Sequence, residues 1–196
     1  MSKILGFDIS SETIGWCCLS KDDSSNEIKF LDAGYIKPIK DGTIIERIVH
    51  TRDKLLEIIN KYSPDYIGIE DIIKFMKGKS RADTIIMLTT FNRMVCLLSY
   101  DFLKKPPQLF NVMTIRHGLK TNKILPKKED MPELVAKHLG ITFPYEKNKK
   151  NKIKEESYDT ADGVAVALYY AFLLSGRVNR KIKSTKPTKK RARVKP

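Results

Sequence analysis

The chain has 196 residues, with 37 Lys and Arg against 23 Asp and Glu, giving a formal net charge of +14. That length suits one domain, or one domain and a tail, burying roughly 70% of the unfolded surface; a hydrophobic content of 41% excludes wholesale disorder. The longest apolar run, 164–174, is too short for a bilayer, which needs ~20 residues. Three cysteines, two of them adjacent at Cys17 and Cys18, form neither a disulfide framework nor a zinc finger. Lys3 and Asp8 interrupt the stretch that an export signal would keep apolar, so a cytosolic protein with reduced thiols is expected.

In chain order, residues 3–10 and 13–20 read as two strands of a tight hairpin around Ser-Ser-Glu, and the alternation in 27–36 makes a third. A capping box, Thr43 to Glu46, opens a helix that Pro64 stops near Tyr62. The short apolar run 65–70 suits a buried parallel strand. Ser80 and Asp83 begin a long helix to about Phe102, and 109–113 reads as a fifth strand. A helix over 131–138 has Pro132 in its first turn and Gly140 as its C-cap. The last helix runs from near Ser157 to Gly176. A meander followed by crossovers predicts an α/β fold, a mixed sheet with helices on both faces.

The charge is uneven. Ten of the 37 basic residues lie in the last 21, which contain no acid, so 177–196 reads as a disordered basic tail on a domain of residues 1–176. A second concentration, YEKNKKNKIK at 145–154, lies within the folded part. Such segments bind polyanions through counterion release without reading sequence.

The acids carry the sharpest signal. Asp8 lies mid-strand between Phe7 and Ile9, on the face of Ile4 and Gly6; Glu70 ends the fourth strand; Asp159 and Asp162 open the last helix three residues apart, on one side of it. A buried carboxylate costs several kcal/mol unless it is paired or binds a cation. Four of them could share that cost by holding hard divalent ions, and two Mg²⁺ about 4 Å apart can activate water against a phosphodiester. Taken singly, Asp159 and Asp162 also suit a helix first turn, where acids complement the dipole, and Glu70 suits a loop. Asp8 has no such ordinary role. His50, His117 and His138 show no ligand spacing, and His138 suits a helix C-cap.

The segments GFDISSETIGWCCLS, IGIEDIIKFMKGKSRADTIIMLTTFNRMVCLL and SYDTADGVAVALYYAF resemble, in that order, the RuvC-type Holliday junction resolvases of the RNase H-like superfamily. The resemblance implies an RNase H-like five-stranded mixed sheet flanked by helices. It also implies a homodimer that nicks opposing strands of a four-way DNA junction with Mg²⁺ or Mn²⁺, two ions per site, leaving ligatable 5′-phosphate ends. By motif, Asp8, Glu70, Asp159 and Asp162 would be the catalytic, metal-binding carboxylates, and the long helix from Ser80 would supply the dimer interface. Phe75, beside Lys77 and Lys79, would be the aromatic wedge that opens the junction, with Ile73 at the nearer position; Arg116, Lys120, Lys123, Lys127 and Lys128 would contact DNA. The loop at 145–154 and the tail depart from compact bacterial members and suggest a viral or diverged one, acting in the cytoplasm or wherever its DNA is replicated. Two alternatives remain open at this point: a less selective metal-dependent nuclease for branched DNA, flaps or RNA–DNA hybrids, and a non-enzymatic basic DNA-binding protein.

Overall fold

The computed structural model describes residues 1–72 and 82–178. Alternating apolar residues build β1 (Ser2–Ile9), β2 (Ile14–Lys21) and β3 (Ile28–Ile36) as an antiparallel meander. Ser10 shapes the first turn, its hydroxyl accepting from Thr13 N at 2.9 Å and donating to Thr13 O at 2.8 Å. Helix α1 (Ile44–Tyr62) begins at the expected capping box, with Thr43 Oγ1 accepting from Glu46 N and Glu46 Oε2 accepting from Thr43 N. It returns the chain to β4 (Tyr66–Glu70), which lies parallel to β1. Helix α2 (Ala82–Leu103) then leads to β5 (Gln108–Phe110), parallel to β4. The sheet order is β3-β2-β1-β4-β5, the mixed five-stranded sheet that the pattern predicts. The Ser80 cap falls outside the described residues.

Three helices follow where the sequence predicts two. After β5 the chain turns at Asn111, whose Oδ1 accepts from Met113 N at 2.9 Å, and forms α3 (Val112–Leu119) instead of extending the strand to 113. Helix α4 (Met131–Leu139) ends at Gly140 in the left-handed region, φ 64°, as expected. Its His138 caps a neighbour and not its own helix: Nε2 bonds Leu119 O, in the last turn of α3, at 2.7 Å. Helix α5 (Glu155–Leu174) closes the fold. Among the described residues no helix is long and apolar enough to cross a membrane.

The sheet separates two cores. Leu5, Phe7, Ile14 and Cys18 face α1 and α2, packing with Leu55, Ile59, Phe91 and Val95. Ile4, Cys17 and Leu19 face α5, with Val164, Ala167 and Leu168. Glycines bring α5 unusually close to the sheet on that second side. A Cβ on Gly6 would lie 2.4 Å from Ala167 N; one on Gly163, 2.7 Å from Gly15 C; one on Gly15, 1.9 Å from Asp159 O. The helix backbone therefore rests directly on β1 and β2. This seam positions the site described next.

Candidate active site

Asp8 projects from the α5 side of β1, opposite Gly15 in the β1–β2 register. The carbonyl of Asp159 lies over that same Gly15, so the glycine contact delivers the α5 acid to the Asp8 position. Glu70, at the C-terminal end of the adjacent parallel strand, alternates onto the same face as Gly68, which packs against Val166 and Tyr170 of α5. Its backbone is held from the other side, where buried Asn92 of α2 donates Nδ2–H to Glu70 O at 3.0 Å. Asp162 lies one turn beyond Asp159 on α5.

Helix α5 starts at Glu155, so its first-turn acids are Glu155 and Glu156. Asp159 and Asp162 lie beyond the reach of the N-terminal dipole, which acts within about the first turn. The ordinary explanation for these two acids therefore falls away, and partial burial without compensating dipole must be offset by something else.

The electrostatics agree. Burial raises the Asp8 carboxyl well above its ordinary value, and the charges of Glu70, Asp162 and Asp159 raise it further, against a smaller opposing effect of Lys128. Burial and Asp162 push Glu70 up to about 7 despite Arg116 and Lys128. Burial brings Asp162 to about 6, with Arg116 and Lys128 opposing and Asp159 reinforcing. Asp8 thus feels all three other acids, Glu70 feels Asp162, and Asp162 feels Asp159, as expected of carboxylates on one face of the sheet.

Two cations border the cluster. Lys128 donates to Asp159 Oδ1 at 2.9 Å and to Glu155 Oε1 at 2.8 Å. Burial works against its ammonium, yet these two bonds hold its pKa well above the lysine norm. Arg116, on α3, acts on both Glu70 and Asp162, and its buried Nε has no hydrogen-bond partner among the described residues. Lys120, Lys123 and Lys127 are exposed along the segment between α3 and α4 and play no part in the charge balance of the acids. Phe75, Lys77 and Lys79 lie outside the described residues.

The donor set is all carboxylate oxygen, which fits a hard divalent cation and not a soft metal. Among the described residues, however, no three acidic, histidine or cysteine side chains stand close enough to hold an ion as they are. Uncompensated like charges repel, and one oxygen of Asp159 is taken by Lys128. Bringing the acids together would require side-chain rotation and release of that ion pair.

The model of one family, crossover junction endodeoxyribonuclease RuvC, matches residues 4–104. The chain belongs to the RuvC family. A RuvC from Ehrlichia ruminantium is 27% identical over 170 residues, 86% of this chain and 96% of that protein. The fold is similar to that of Thermus thermophilus RuvC in complex with Holliday junction substrate, with a TM-score of 0.67 at 16% identity, covering 90% of this chain and 96% of that one. It is also similar to the yeast mitochondrial Holliday junction resolvase Ydc2, with a TM-score of 0.62 at 15% identity, covering 89% and 79%. The expected RuvC-type, RNase H-like architecture is therefore the one observed.

Sequence reasoning named the four acids as candidates and included Arg116 and Lys128 in a larger basic set. It missed Asn92, Gly15 and Glu155. Asn92 was detectable as a lone amide on the apolar face of α2; Gly15 and Glu155 carry no local signal, because their roles exist only across helix–sheet and helix–loop contacts.

Proposed function

We propose that the protein is a metal-dependent endonuclease that resolves four-way DNA junctions by hydrolysing one phosphodiester per subunit in opposing strands. The observation that supports this reading is the convergence of Asp8, Glu70 and the Asp159–Asp162 pair, from three distant segments, onto one face of the sheet, where burial and neighbouring acids raise the carboxyls of Asp8, Glu70 and Asp162. The four carboxylates would hold Mg²⁺, two ions per site, with Mn²⁺ able to substitute. When bound, the ions supply activation of a water nucleophile and neutralise charge on the reacting phosphate. The chain's own residues do the rest. Lys128, displaced from Asp159, and Arg116 would hold and orient the scissile phosphate. No nucleophilic side chain is required: attack of water on phosphorus with cleavage of the P–O3′ bond would leave a 3′-hydroxyl and a ligatable 5′-phosphate.

Pairing of two cuts needs two sites in one assembly, and α2 offers the surface for a homodimer. Ile86, Leu97 and Tyr100 lie on one stripe of that helix, 54%, 60% and 49% exposed, opposite the buried Phe91 and Val95. Phe75, with Lys77 and Lys79, fits the unstacking wedge. Residues 1–176 would form the nuclease domain and 177–196 a basic appendage, adding sequence-independent affinity.

The deciding experiment incubates the protein with a synthetic four-way junction, a flap and a linear duplex, each with Mg²⁺ and with EDTA. Paired, ligatable nicks confined to the junction and dependent on metal are expected; equal cutting of the flap would reduce the reading to a general branched-DNA nuclease.

Metal binding also predicts a pH-dependent stability. A carboxyl whose pKa is raised on folding keeps a proton that the unfolded chain releases, so its contribution is fully present at low pH and is lost as pH rises through the folded value. For Glu70 and Asp162 that window runs from about pH 4 to about 7. Divalent ions bind the ionised acids and reverse the loss. At pH 7.5, Mg²⁺ at 100 times its Kd would add about 2.7 kcal/mol, or about 5–10 °C in Tm, and much less at pH 5. A Tm indifferent to Mg²⁺ and Mn²⁺ at both pH values would remove the ions from the reading.

A further inference from the structure

The lysine-rich segment before α5 is a folded hairpin. Lys147 pairs with Ile153 in an antiparallel bridge, Asn148 N donates to Lys152 O at 2.8 Å, and Lys154 N donates to Glu146 O at 2.8 Å. The tip is closed by Asn148, whose Oδ1 accepts from Lys150 N at 2.9 Å and Lys152 N at 3.1 Å, and by Asn151 in the left-handed region, φ 58°. The base is fastened to the body of the protein. Glu146 N donates to the buried Ser157 Oγ at 2.9 Å, and Glu146 Oε2 accepts from Lys154 Nζ at 2.8 Å and from Tyr35 Oη at 3.4 Å.

Glu146 thus neutralises one lysine of five. Lys147, Lys149, Lys150 and Lys152 are exposed, and none forms an ion pair within the described residues. Four unpaired ammonium groups on a hydrogen-bonded hairpin repel one another, a cost without purpose unless an anion shares them. The loop also lacks what a protein partner would need: its exposed residues are lysine and asparagine, with no aromatic or arginine anchor for a desolvated hot spot. A phosphate backbone needs only charge and donors.

Position selects which backbone. The hairpin joins α5 directly, and Asp159 lies five residues past Lys154. At about 1.5 Å per helical residue and about 3.3 Å per strand residue, the tip lies within ~21 Å of the backbone of Asp159. That is about the length of five or six base pairs, so an arm cut at the carboxylates passes within reach.

We propose that the 147–153 hairpin is a preformed clamp for duplex DNA, gripping the backbone of the arm that carries the scissile phosphate. This rests on the reading of the chain as a junction nuclease and adds a second anchor point, outside the active site, that sets how firmly the arm is held. Being sequence-independent, it would grip any duplex arm equally.

The test measures equilibrium binding of the full chain to a four-way junction and to a linear duplex between 50 and 200 mM NaCl, without divalent metal. The triple variant K149Q/K150Q/K152Q should bind both DNAs about ten-fold or more weakly at 100 mM salt. Its salt slope should be lower by about 2.7, or about 0.9 for each phosphate that no longer meets a lysine. Its unchanged thermal unfolding would exclude misfolding as the cause. The Asn148→Ala variant keeps every charge but opens the tip; it should lose several-fold in affinity. A triple variant with the wild-type slope overturns the clamp, and Asn148→Ala binding like wild type overturns its preformed character. Failure of the wild-type chain to cut junctions would be a separate result, since affinity for linear duplex tests the hairpin without any cleavage.

Discussion

Replacing Asp8 by Asn is expected to reduce junction cleavage by at least about 10³-fold, while junction affinity stays within a few-fold of the parent. At about 1.4 kcal/mol per factor of ten, such a loss corresponds to about 4 kcal/mol of transition-state stabilisation, within what a bound divalent ion can supply. Asparagine preserves the shape of the side chain in a strand whose neighbours Phe7 and Leu5 are fully buried, so β1 should pair as before. The same change should stabilise the metal-free protein at pH 8. Asp8 is raised by burial first and then by Glu70, Asp162 and Asp159, and removing its charge relieves all of these at once. A gain of about 1–2 kcal/mol, seen as a Tm higher by about 3–6 °C, is the expected size. Activity lost while stability is gained distinguishes a functional acid from a structural one. A variant that cuts normally, or one that loses both activity and fold, would contradict the assignment.

The second large effect concerns the glycine seam. Gly15→Ala should destabilise the protein by about 3 kcal/mol or more, lowering Tm by roughly 10 °C. The new Cβ would lie 1.9 Å from Asp159 O, 2.4 Å from its carbonyl carbon and 3.0 Å from Thr160 N. All three are backbone atoms, so no rotamer change relieves the overlap. Helix α5 would have to lift, and it carries Ala161, Val164, Val166, Ala167 and Leu168, every one fully buried, so lifting opens voids along its length. Lifting also moves Asp159 away from Asp8. An error of about 1 Å in a reacting constellation can cost about 100-fold in rate, so whatever fraction folds should cut poorly. Gly34→Ala is the control: the nearest atoms to its Cβ would belong to the indole of Trp16, at 3.2–3.3 Å, a side chain that can give way. It should cost no more than about 1 kcal/mol. Equal stability of the two variants, measured by thermal unfolding, would show that the seam is looser than described.

Much of this molecule is legible in its residues alone. Period-two alternation marks the meander, Thr43 and Glu46 mark the start of α1, and Pro132 and Gly140 bracket α4, because each signal depends on residues only a few positions apart. Asp8 is conspicuous for the same reason, a charge within a strand that is otherwise apolar. Helix α3 is not legible. Its β-branched and apolar residues follow directly on β5 and suit either state, and the choice is made by the Asn111 cap and by burial of Ile115 and Leu119 against α5. The start of α5 lies two residues earlier than the pattern predicts, which changes the meaning of Asp159 and Asp162 from dipole partners to members of a cluster.

The sequence alone therefore determined the elements, their order apart from α3, and which four acids are the candidates. Tertiary structure decided that the charges of Glu70, Asp159 and Asp162 act on Asp8, that Arg116 and Lys128 among the basic residues act on Glu70 and Asp162, and that Asn92 holds the Glu70 carbonyl. The reason is range. Propensity, capping and alternation act over a few residues, whereas the meeting of residues 8, 70 and 159 depends on how near a helix axis can come to a sheet, which three glycines set by having no side chain.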